Sequence, residues 1–177
     1  RIWRLCYVVS SAGGDDLEVF DISDPTAPVK VDGYDMGGSP GFLLSIEVVD
    51  GYAYAVGNSD NDDFVIFDVS DPTNVIKLGT ESIADNGGFD IKVRGSYAYV
   101  GGGGIGVDFY IFDVSDPLNP VITDTELATT LRAIEIKDNY VIGLTLGGTE
   151  IRIFDVSDPY DIPDEDSYSI SFAHGGA

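Results

Sequence analysis

Apolar and polar residues alternate in short runs along this chain, and turns rich in Gly, Asp or Asn separate the runs. In the stretch FVIFDVS, the residues Val65, Phe67 and Val69 lie on one side of an extended chain, while Phe64 and Ile66 lie on the other. Both sides are apolar, so the pattern predicts a strand that is buried on both faces. Runs of Val, Ile, Tyr and Phe between such turns are typical of strands.

The strongest pattern is a nonapeptide that occurs four times, as LEVFDISDP, FVIFDVSDP, FYIFDVSDP and IRIFDVSDP. Its phenylalanines are 47, 45 and 42 residues apart, at Phe20, Phe67, Phe112 and Phe154. A period of about 40–50 residues made of short strands indicates a β-propeller. We therefore expect an all-β fold, a β-propeller of four four-stranded antiparallel blades, in a single domain that spans 1–177.

The repeat predicts blade 1 at 1–38, blade 2 at 39–84, blade 3 at 85–128, blade 4 at 129–171 and a closing strand at 172–177. Joining the end of the chain, SISFAHGGA, to its start, RIWRLCYVV, gives a segment similar to SIADNGGFDIKVRGSYAYV. We therefore expect the first inner strand to be split between the two termini, with closure through Arg1, Ile2, Trp3, Phe172, Ala173, His174 and Ala177. Closure within one molecule, strand donation to another copy, and a place in a longer propeller all stay open.

Each nonapeptide ends in Ser-Asp-Pro, which predicts a tight turn. Asp suits the first position of a type I turn, and Pro suits the second because its φ is already fixed. An acid two residues before that Ser-Asp-Pro can accept hydrogen bonds from the amides of the turn. We interpret these repeated acids as turn-forming residues: Asp21/Asp24, Asp68/Asp71, Asp113/Asp116 and Asp155/Asp158.

The same residues carry a resemblance to a known family. The motif FDVSDP, followed by an outer strand and later by YAYV, resembles the LVIVD-type repeat of bacterial and archaeal secreted or surface proteins. The resemblance covers nearly the whole chain. It implies a β-propeller and an extracellular or cell-surface location, and it brings no shared catalytic motif with it.

The charge of the chain excludes several partners. The sequence has 9 Lys+Arg against 31 Asp+Glu, which gives a formal net charge of −22 at pH 7. This charge argues against nucleic acid and against an anionic membrane surface. No apolar run reaches the roughly 18 residues that a membrane helix needs, so we expect no membrane insertion. The single cysteine allows no internal disulfide.

Charged residues alternate in sign at one position of the predicted inner strands. Arg1, Glu47, Lys92 and Glu135 share this position, opposite to the face that carries the apolar residues of the same strands. Near a narrow axis an unpaired charge is costly, and charges of alternating sign neutralise one another. We therefore expect these four residues to form a ring of charge around the axis.

The loop before each third strand ends in an acid, at Asp16, Asp63, Asp108 and Glu150. Further acids cluster beside two of these positions, at Asp15 and at Asp60 and Asp62. Hard cations are held by several carboxylate and carbonyl oxygens, so these loops are candidate calcium sites. The alternative is a set of charged hairpin loops that prevent strand edges from pairing.

The sequence offers little support for catalysis. The run GGGGIG at 101–106 has the spacing of a dinucleotide fingerprint, but a strand and not a helix follows it. His174 is the only histidine, which disfavours a zinc site. No other cofactor is indicated.

We expect a non-catalytic extracellular or cell-surface scaffold that binds protein partners or copies of itself, assembles head-to-tail by strand exchange and is stabilised by calcium. A carbohydrate- or small-ligand-binding module, with Tyr34 and Tyr160 as aromatic platforms, is the alternative. A hydrolase or lyase that acts at the propeller axis is the third hypothesis.

Overall fold

The computed structural model describes residues 4–10, 14–37, 42–58, 62–83, 87–103, 106–127, 130–146, 150–163 and 168–171. These residues form strands that are joined by tight turns and loops. Across these ranges, no helix is long and apolar enough to span a membrane.

The strands form four antiparallel sheets that follow one another along the chain. The first sheet contains β1 (Leu5–Val9), β2 (Leu17–Asp21) and β3 (Val29–Tyr34). The second contains β4 (Phe42–Val49), β5 (Tyr52–Asn58), β6 (Phe64–Asp68) and β7 (Ile76–Glu81). The third contains β8 (Gly88–Arg94), β9 (Tyr97–Gly102), β10 (Val107–Asp113) and β11 (Val121–Leu127). The fourth contains β12 (Leu131–Lys137), β13 (Tyr140–Thr145), β14 (Glu150–Asp155) and β15 (Tyr168–Ser171).

The expected all-β repeat fold is confirmed. Within each sheet, every strand pairs with the next along the chain in a simple meander, and the nonapeptide forms the strands β2, β6, β10 and β14 and the turn that leaves each of them. The strand β10 follows the glycine run at 101–106, as the sequence predicted. In the first sheet three strands are described, and the position occupied by β4, β8 and β12 in the other sheets has no described strand.

Consecutive sheets pack against each other in chain order. The strand β1 contacts β4, β4 contacts β8, and β8 contacts β12. Because the first strand of each complete sheet lies nearest to the neighbouring sheets, these strands form the inner edge of the arrangement. Within the described residues, no comparable contact joins the fourth sheet to the first, so the four sheets form an open arc and closure of the ring stays a prediction.

The core lies between the sheets and confirms that the nonapeptide strand is buried on both faces. The side chains of Phe64, Val65, Ile66 and Phe67 are all fully buried. Phe64 of the second sheet stacks on Phe112 of the third, with 4.3 Å between ring centroids. Phe109 of the third sheet stacks on Phe154 of the fourth at 4.4 Å, so the repeated phenylalanine is a contact between sheets.

The turn-forming role of the repeated acids is also confirmed. The Oδ1 atom of Asp68 accepts hydrogen bonds from the Ser70 amide at 2.9 Å and the Ser70 hydroxyl at 2.6 Å. Asp71 accepts the Thr73 amide at 3.0 Å in the same way. The corresponding amides in the other repeats are bound by Asp21, Asp24, Asp113, Asp116, Asp155 and Asp158. Hydrogen bonds from neighbouring side chains, together with those from the turn amides, lower the pKa of the carboxyl groups of Asp24, Asp68, Asp71, Asp113 and Asp116.

Phe112→Ala should destabilise the fold by about 3–5 kcal/mol, because it removes a fully buried ring from the contact between the second and third sheets. Leu118→Ala is the matched control, since Leu118 is 61% exposed in a turn of the same repeat. Urea unfolding measures both free energies. Equal stability of the two variants would contradict packing between the sheets as the source of stability.

The aspartate turns should make stability depend on pH. Since their folded pKa is lowered, their contribution is present above the unfolded pKa of about 3.9 and is lost as the pH falls toward the folded value. The double variant Asp68→Asn/Asp113→Asn keeps an oxygen acceptor but removes the charge. It should be less stable than the parent at pH 7, and the difference in unfolding free energy should narrow toward pH 3. A difference that stays constant over this range would refute the assignment.

Candidate functional site

Charged side chains of the predicted axis ring converge at the inner edge. Glu47 in β4 accepts a hydrogen bond from the Val93 amide of β8 at 2.8 Å. Burial raises the pKa of the Glu47 carboxyl. The hydrogen bond from the Val93 amide and the positive charge of Lys92 oppose this rise, whereas the negative charges of Glu135 and Asp90 add to it. The structure therefore brings Glu47, Lys92 and Glu135 within electrostatic range of one another. Arg1 lies outside the described residues, so the ring of four stays a prediction.

Asp90 is a residue of this inner edge that the sequence reasoning missed. Its Oδ2 atom accepts the Ile134 amide of β12 at 2.9 Å, and its Oδ1 atom accepts the Ser45 hydroxyl of β4 at 2.8 Å. Lys92 lies 3.6 Å from the same carboxylate. Asp90 therefore links three consecutive sheets. Its position two residues before Lys92, on the same side of the strand, was the signal for its place at the axis.

These contacts have a common physical cause. An inner strand is the edge of its sheet, so its outward amides have no partner strand. A carboxylate from the neighbouring sheet satisfies such an amide at Val93 and again at Ile134. A buried amide without a partner would cost free energy, so the axis carboxylates hold neighbouring sheets in register.

A second carboxylate contact joins the outer strands to the next sheet. Asp32 in β3 accepts the Val75 amide of the second repeat at 2.8 Å. Asp124 in β11 accepts the Ile162 amide of the fourth repeat at 2.6 Å.

Between the second and third sheets, the position of this aspartate is Gly79. A Cβ atom there would lie 2.5 Å from Cδ of Pro120, which occupies the place of Val75 and Ile162. Proline has no amide proton to donate. The acid is therefore present where the next turn offers an N–H and absent where the next turn offers a proline.

Two of the acidic residues that were predicted to bind calcium instead accept backbone hydrogen bonds within their own repeat. Asp16 accepts the Met36 amide at 2.8 Å, and Asp63 accepts the Ile83 amide at 3.0 Å. Each therefore ties the start of the third strand of its repeat to the residues that follow the fourth strand.

The remaining calcium candidates have varied surroundings. Asp15 pairs with Lys30 at 2.7 Å, and Asp62 pairs with Lys77 at 2.7 Å. Asp108 is buried, and Glu150 begins β14. Asp60 lies outside the described residues. In the part of the chain that the structure describes, no three acidic, histidine or cysteine side chains converge as a metal site. Calcium binding therefore stays a prediction.

The structure separates the two tyrosines that were predicted as ligand platforms. The prediction for Tyr34 as a loop platform is wrong, because Tyr34 ends β3 and its ring packs against Phe67 at 5.4 Å between the first and second sheets. Tyr160 is 59% exposed, and its ring meets the edge of Tyr97 at 6.2 Å. The pKa of Tyr160 is raised to about 12, chiefly by the hydrogen bond with the Tyr97 hydroxyl and to a smaller extent by the carboxylate of Asp113.

The first sheet presents a face that no other described sheet covers, on which apolar residues lie beside the ion pair of Glu18 and Lys30. We call it the N-terminal face, and it consists of Cys6, Val8, Glu18 and Phe20. Cys6 lies opposite Phe20 in the strand pair, so both point to the same side. The opposite side of this sheet packs against the second sheet through Leu17 and Val19, which are fully buried.

The fourth sheet presents the corresponding face at the other end of the arc. We call it the C-terminal face, and it consists of Tyr140, Ile142, Leu144, Ile151 and Ile153. Tyr140 is 43% exposed and Leu144 is 41% exposed. A cavity of about 330 Å³ opens on this face beside Lys137 and Asp138. The predicted closure residues Arg1, Ile2, Trp3, Phe172, Ala173, His174 and Ala177 lie outside the described residues.

Glu47→Ala should destabilise the fold by about 1–3 kcal/mol, because the Val93 amide loses its acceptor at the inner edge. Glu47→Gln is the matched control, since its amide oxygen can still accept that hydrogen bond. Thermal and urea unfolding give the comparison. If Glu47→Ala proves as stable as Glu47→Gln, the carboxylate does not hold the two sheets together.

Comparison with solved structures shows the fold. A protein from Lactobacillus plantarum matches at 11% identity with a TM-score of 0.74, over 95% of this chain and 52% of that one. A candidate 6-phosphogluconolactonase from Bacteroides uniformis matches at 16% identity with a TM-score of 0.71, over 96% of this chain and 56% of that one. YCF48 bound to D1 peptide matches at 10% identity with a TM-score of 0.55, over 89% and 55%. The chain thus spans about half the length of these structures and shares a propeller-like fold with them.

Comparison with curated proteins finds no match. The model of the LVIVD repeat matches residues 7–36, 40–80 and 88–125, which together make up more than half of the chain. These segments contain the first three nonapeptides, so the resemblance seen in the sequence is confirmed. The chain belongs to the LVIVD-repeat family.

Proposed function

We propose that this chain is a non-catalytic interaction scaffold, placed outside the cell or at its surface, that assembles with further copies through its two open ends. The observation that carries the proposal is the unequal burial of equivalent residues. Phe67, Phe112 and Phe154 are fully buried between sheets, whereas Phe20, at the same repeat position on the N-terminal face, is only partly buried.

The C-terminal face supports the same conclusion. By strand register, Leu144 occupies the position of Val56, and Ile151 occupies the position of Phe64 and Phe109. Val56, Phe64 and Phe109 are fully buried, while Leu144 is exposed and Ile151 is partly buried. Apolar faces that are open at both ends are typical of sites that bind another protein surface.

The path of the chain suggests how the ends meet. The outer strands β3, β7 and β11 each lead into the inner strand of the next sheet, at β4, β8 and β12. We propose that residues 172–177 take the inner position of whatever sheet packs on the C-terminal face. In the first sheet, that inner position beside β1 has no described strand. Residues 172–177 of one copy added to β1 of another would give head-to-tail strand exchange.

The axis supports a structural role in place of a catalytic one. The carboxylates of Glu47 and Asp90 accept backbone amides of the neighbouring sheets. Their oxygens thus contribute to packing between the sheets. The net charge of −22 is compatible with a secreted or surface scaffold that stays dispersed until its specific contacts form.

Deletion of residues 172–177 tests the proposal. The full chain should have a mass in solution that is a multiple of its 18.9 kDa, as measured by light scattering after size exclusion. The truncated chain should be a folded monomer with an unchanged far-ultraviolet circular dichroism spectrum. Ala173→Val is the control, because it keeps the strand propensity of the segment and should preserve the assembly. A monomeric full chain, or a mass that is unchanged by the deletion, would overturn the proposal.

A further inference from the structure

We infer that the outer belt of the arc is a docking surface for a positively charged segment of another protein that also carries apolar side chains. The outer belt consists of Val29, Ile76 and Val121, which begin outer strands, and of Leu118 and Tyr160, which lie in turns. Three features support this role: the exposure of the apolar side chains, the contacts that bring them together, and the charge beside them. The belt uses neither end face, so docking does not depend on assembly with further copies.

The members of the belt are exposed although they are apolar. Val29, Ile76 and Val121 are 60%, 46% and 56% exposed, and they have the same position at the start of β3, β7 and β11. Leu118 is 61% exposed and Tyr160 is 59% exposed, and each lies two residues after the aspartate of Ser-Asp-Pro. Single exposed apolar residues are common on protein surfaces, whereas residues that recur at matched positions of neighbouring repeats form a patch.

Each turn packs on the outer strand of the preceding sheet, which brings members of the belt together. A Cβ atom on Gly79 of β7 would lie 2.9 Å from the carbonyl oxygen of Leu118 in the third repeat. The carbonyl oxygen of Pro159 in the fourth repeat accepts the Thr123 hydroxyl of β11 at 2.6 Å. The turns that carry the two exposed turn residues therefore adjoin β7 and β11, the strands that begin with other members of the belt.

Tyr160 is held in place within the belt. Its hydroxyl donates a hydrogen bond to the Oδ2 atom of Asp113 at 3.3 Å, and Asp113 is the cross-strand partner of Val121. Its ring meets the edge of Tyr97 at 6.2 Å. An aromatic ring that is fixed by its neighbours and still exposed loses little conformational freedom when a partner covers it.

The two turn residues of the belt are apolar at a position where the fold accepts a polar residue. In the first two repeats this position is Thr26 and Thr73, and each hydroxyl donates a hydrogen bond to the aspartate of its own turn at 2.7 Å. Leu118 has no hydroxyl, and the hydroxyl of Tyr160 binds Asp113 of the preceding sheet instead. Because threonine satisfies the turn, an external contact explains the exposed apolar side chains better than the fold does.

The charge beside the belt determines the kind of partner. The four turns, at 21–28, 68–75, 113–120 and 155–162, contain nine acidic residues and neither lysine nor arginine. Hydrogen bonds within the turns lower the pKa of several of these carboxyl groups, so the groups are ionised at neutral pH. Apolar side chains among negative charges match a partner that offers both apolar and cationic side chains.

A second copy of this chain does not fit the belt. The belt of that copy has the same acidic turns, and each chain has a formal net charge of −22, so two belts would repel each other. The lysines next to belt residues in the outer strands are already paired, Lys30 with Asp15 and Lys77 with Asp62, both at 2.7 Å. The occupant is therefore a cationic segment of a different protein.

A peptide-binding experiment tests the inference. The probe is a dye-labelled peptide of twelve residues in which Lys and Leu alternate, and its extended length is about 40 Å. Fluorescence anisotropy at an ionic strength of about 0.15 M should show saturable binding to the parent chain. The double variant Leu118→Thr/Tyr160→Thr has the turn residue of the first two repeats. It should bind the peptide at least about tenfold more weakly, because losing roughly 60 Å² of apolar contact is enough for such a change.

Leu146→Thr is the matched control and should bind the peptide as the parent does, since Leu146 is 57% exposed outside the belt. Two further peptides, one with alternating Lys and Ser and one with alternating Glu and Leu, each lack one of the two required features and should bind at least tenfold more weakly. Cooperative urea unfolding shows that the double variant is folded. The inference is wrong if the Lys-Leu peptide does not bind saturably, if either control peptide or the double variant binds equally well, or if Leu146→Thr weakens binding as much as the double variant.

Discussion

Each sheet of this chain carries apolar residues on both faces, and the arrangement of the molecule depends on covering them. A single buried phenylalanine contributes about 1.5–3 kcal/mol relative to an exposed one, and the third strand of the second repeat buries two of them on opposite sides. One sheet cannot shelter both of its faces, so it needs a neighbour on each side. The second and third sheets have two neighbours, whereas the first and fourth have only one among the described strands.

Polar contacts determine how neighbouring sheets align within this apolar packing. An inner strand edge carries amides that no strand of its own sheet can bind, and Glu47 and Asp90 reach across to bind them. At the outer side, Asp32 and Asp124 do the same for the turns of the next sheet. The high content of acids thus has a structural explanation at these positions. Backbone amides of the chain itself are the hydrogen-bond partners of these carboxylates, so their presence does not require a metal or a substrate.

The sequence was sufficient for features that depend on neighbours along the chain. The two-faced burial of FVIFDVS follows from side-chain alternation, and the aspartate turns follow from the preferences of Asp and Pro within a few residues. The contact of Asp90 with Ile134 could not be predicted in this way, because these two residues belong to different sheets and only the packing between the sheets brings them together. Tyr34 was misassigned for the same reason, since its partner Phe67 belongs to the next sheet. Whether the sheets close into a ring depends on the angle between them, which no local pattern encodes.

The most direct measurement uses the chain's only cysteine. Cys6 lies opposite Phe20 on the N-terminal face and carries a free thiol. If every sheet needs cover on both faces, this thiol should react slowly with a chromogenic disulfide reagent when the protein is concentrated, and should react faster as dilution separates the copies. A fast reaction whose rate constant does not change with protein concentration would show that the face stays open, and would contradict the account.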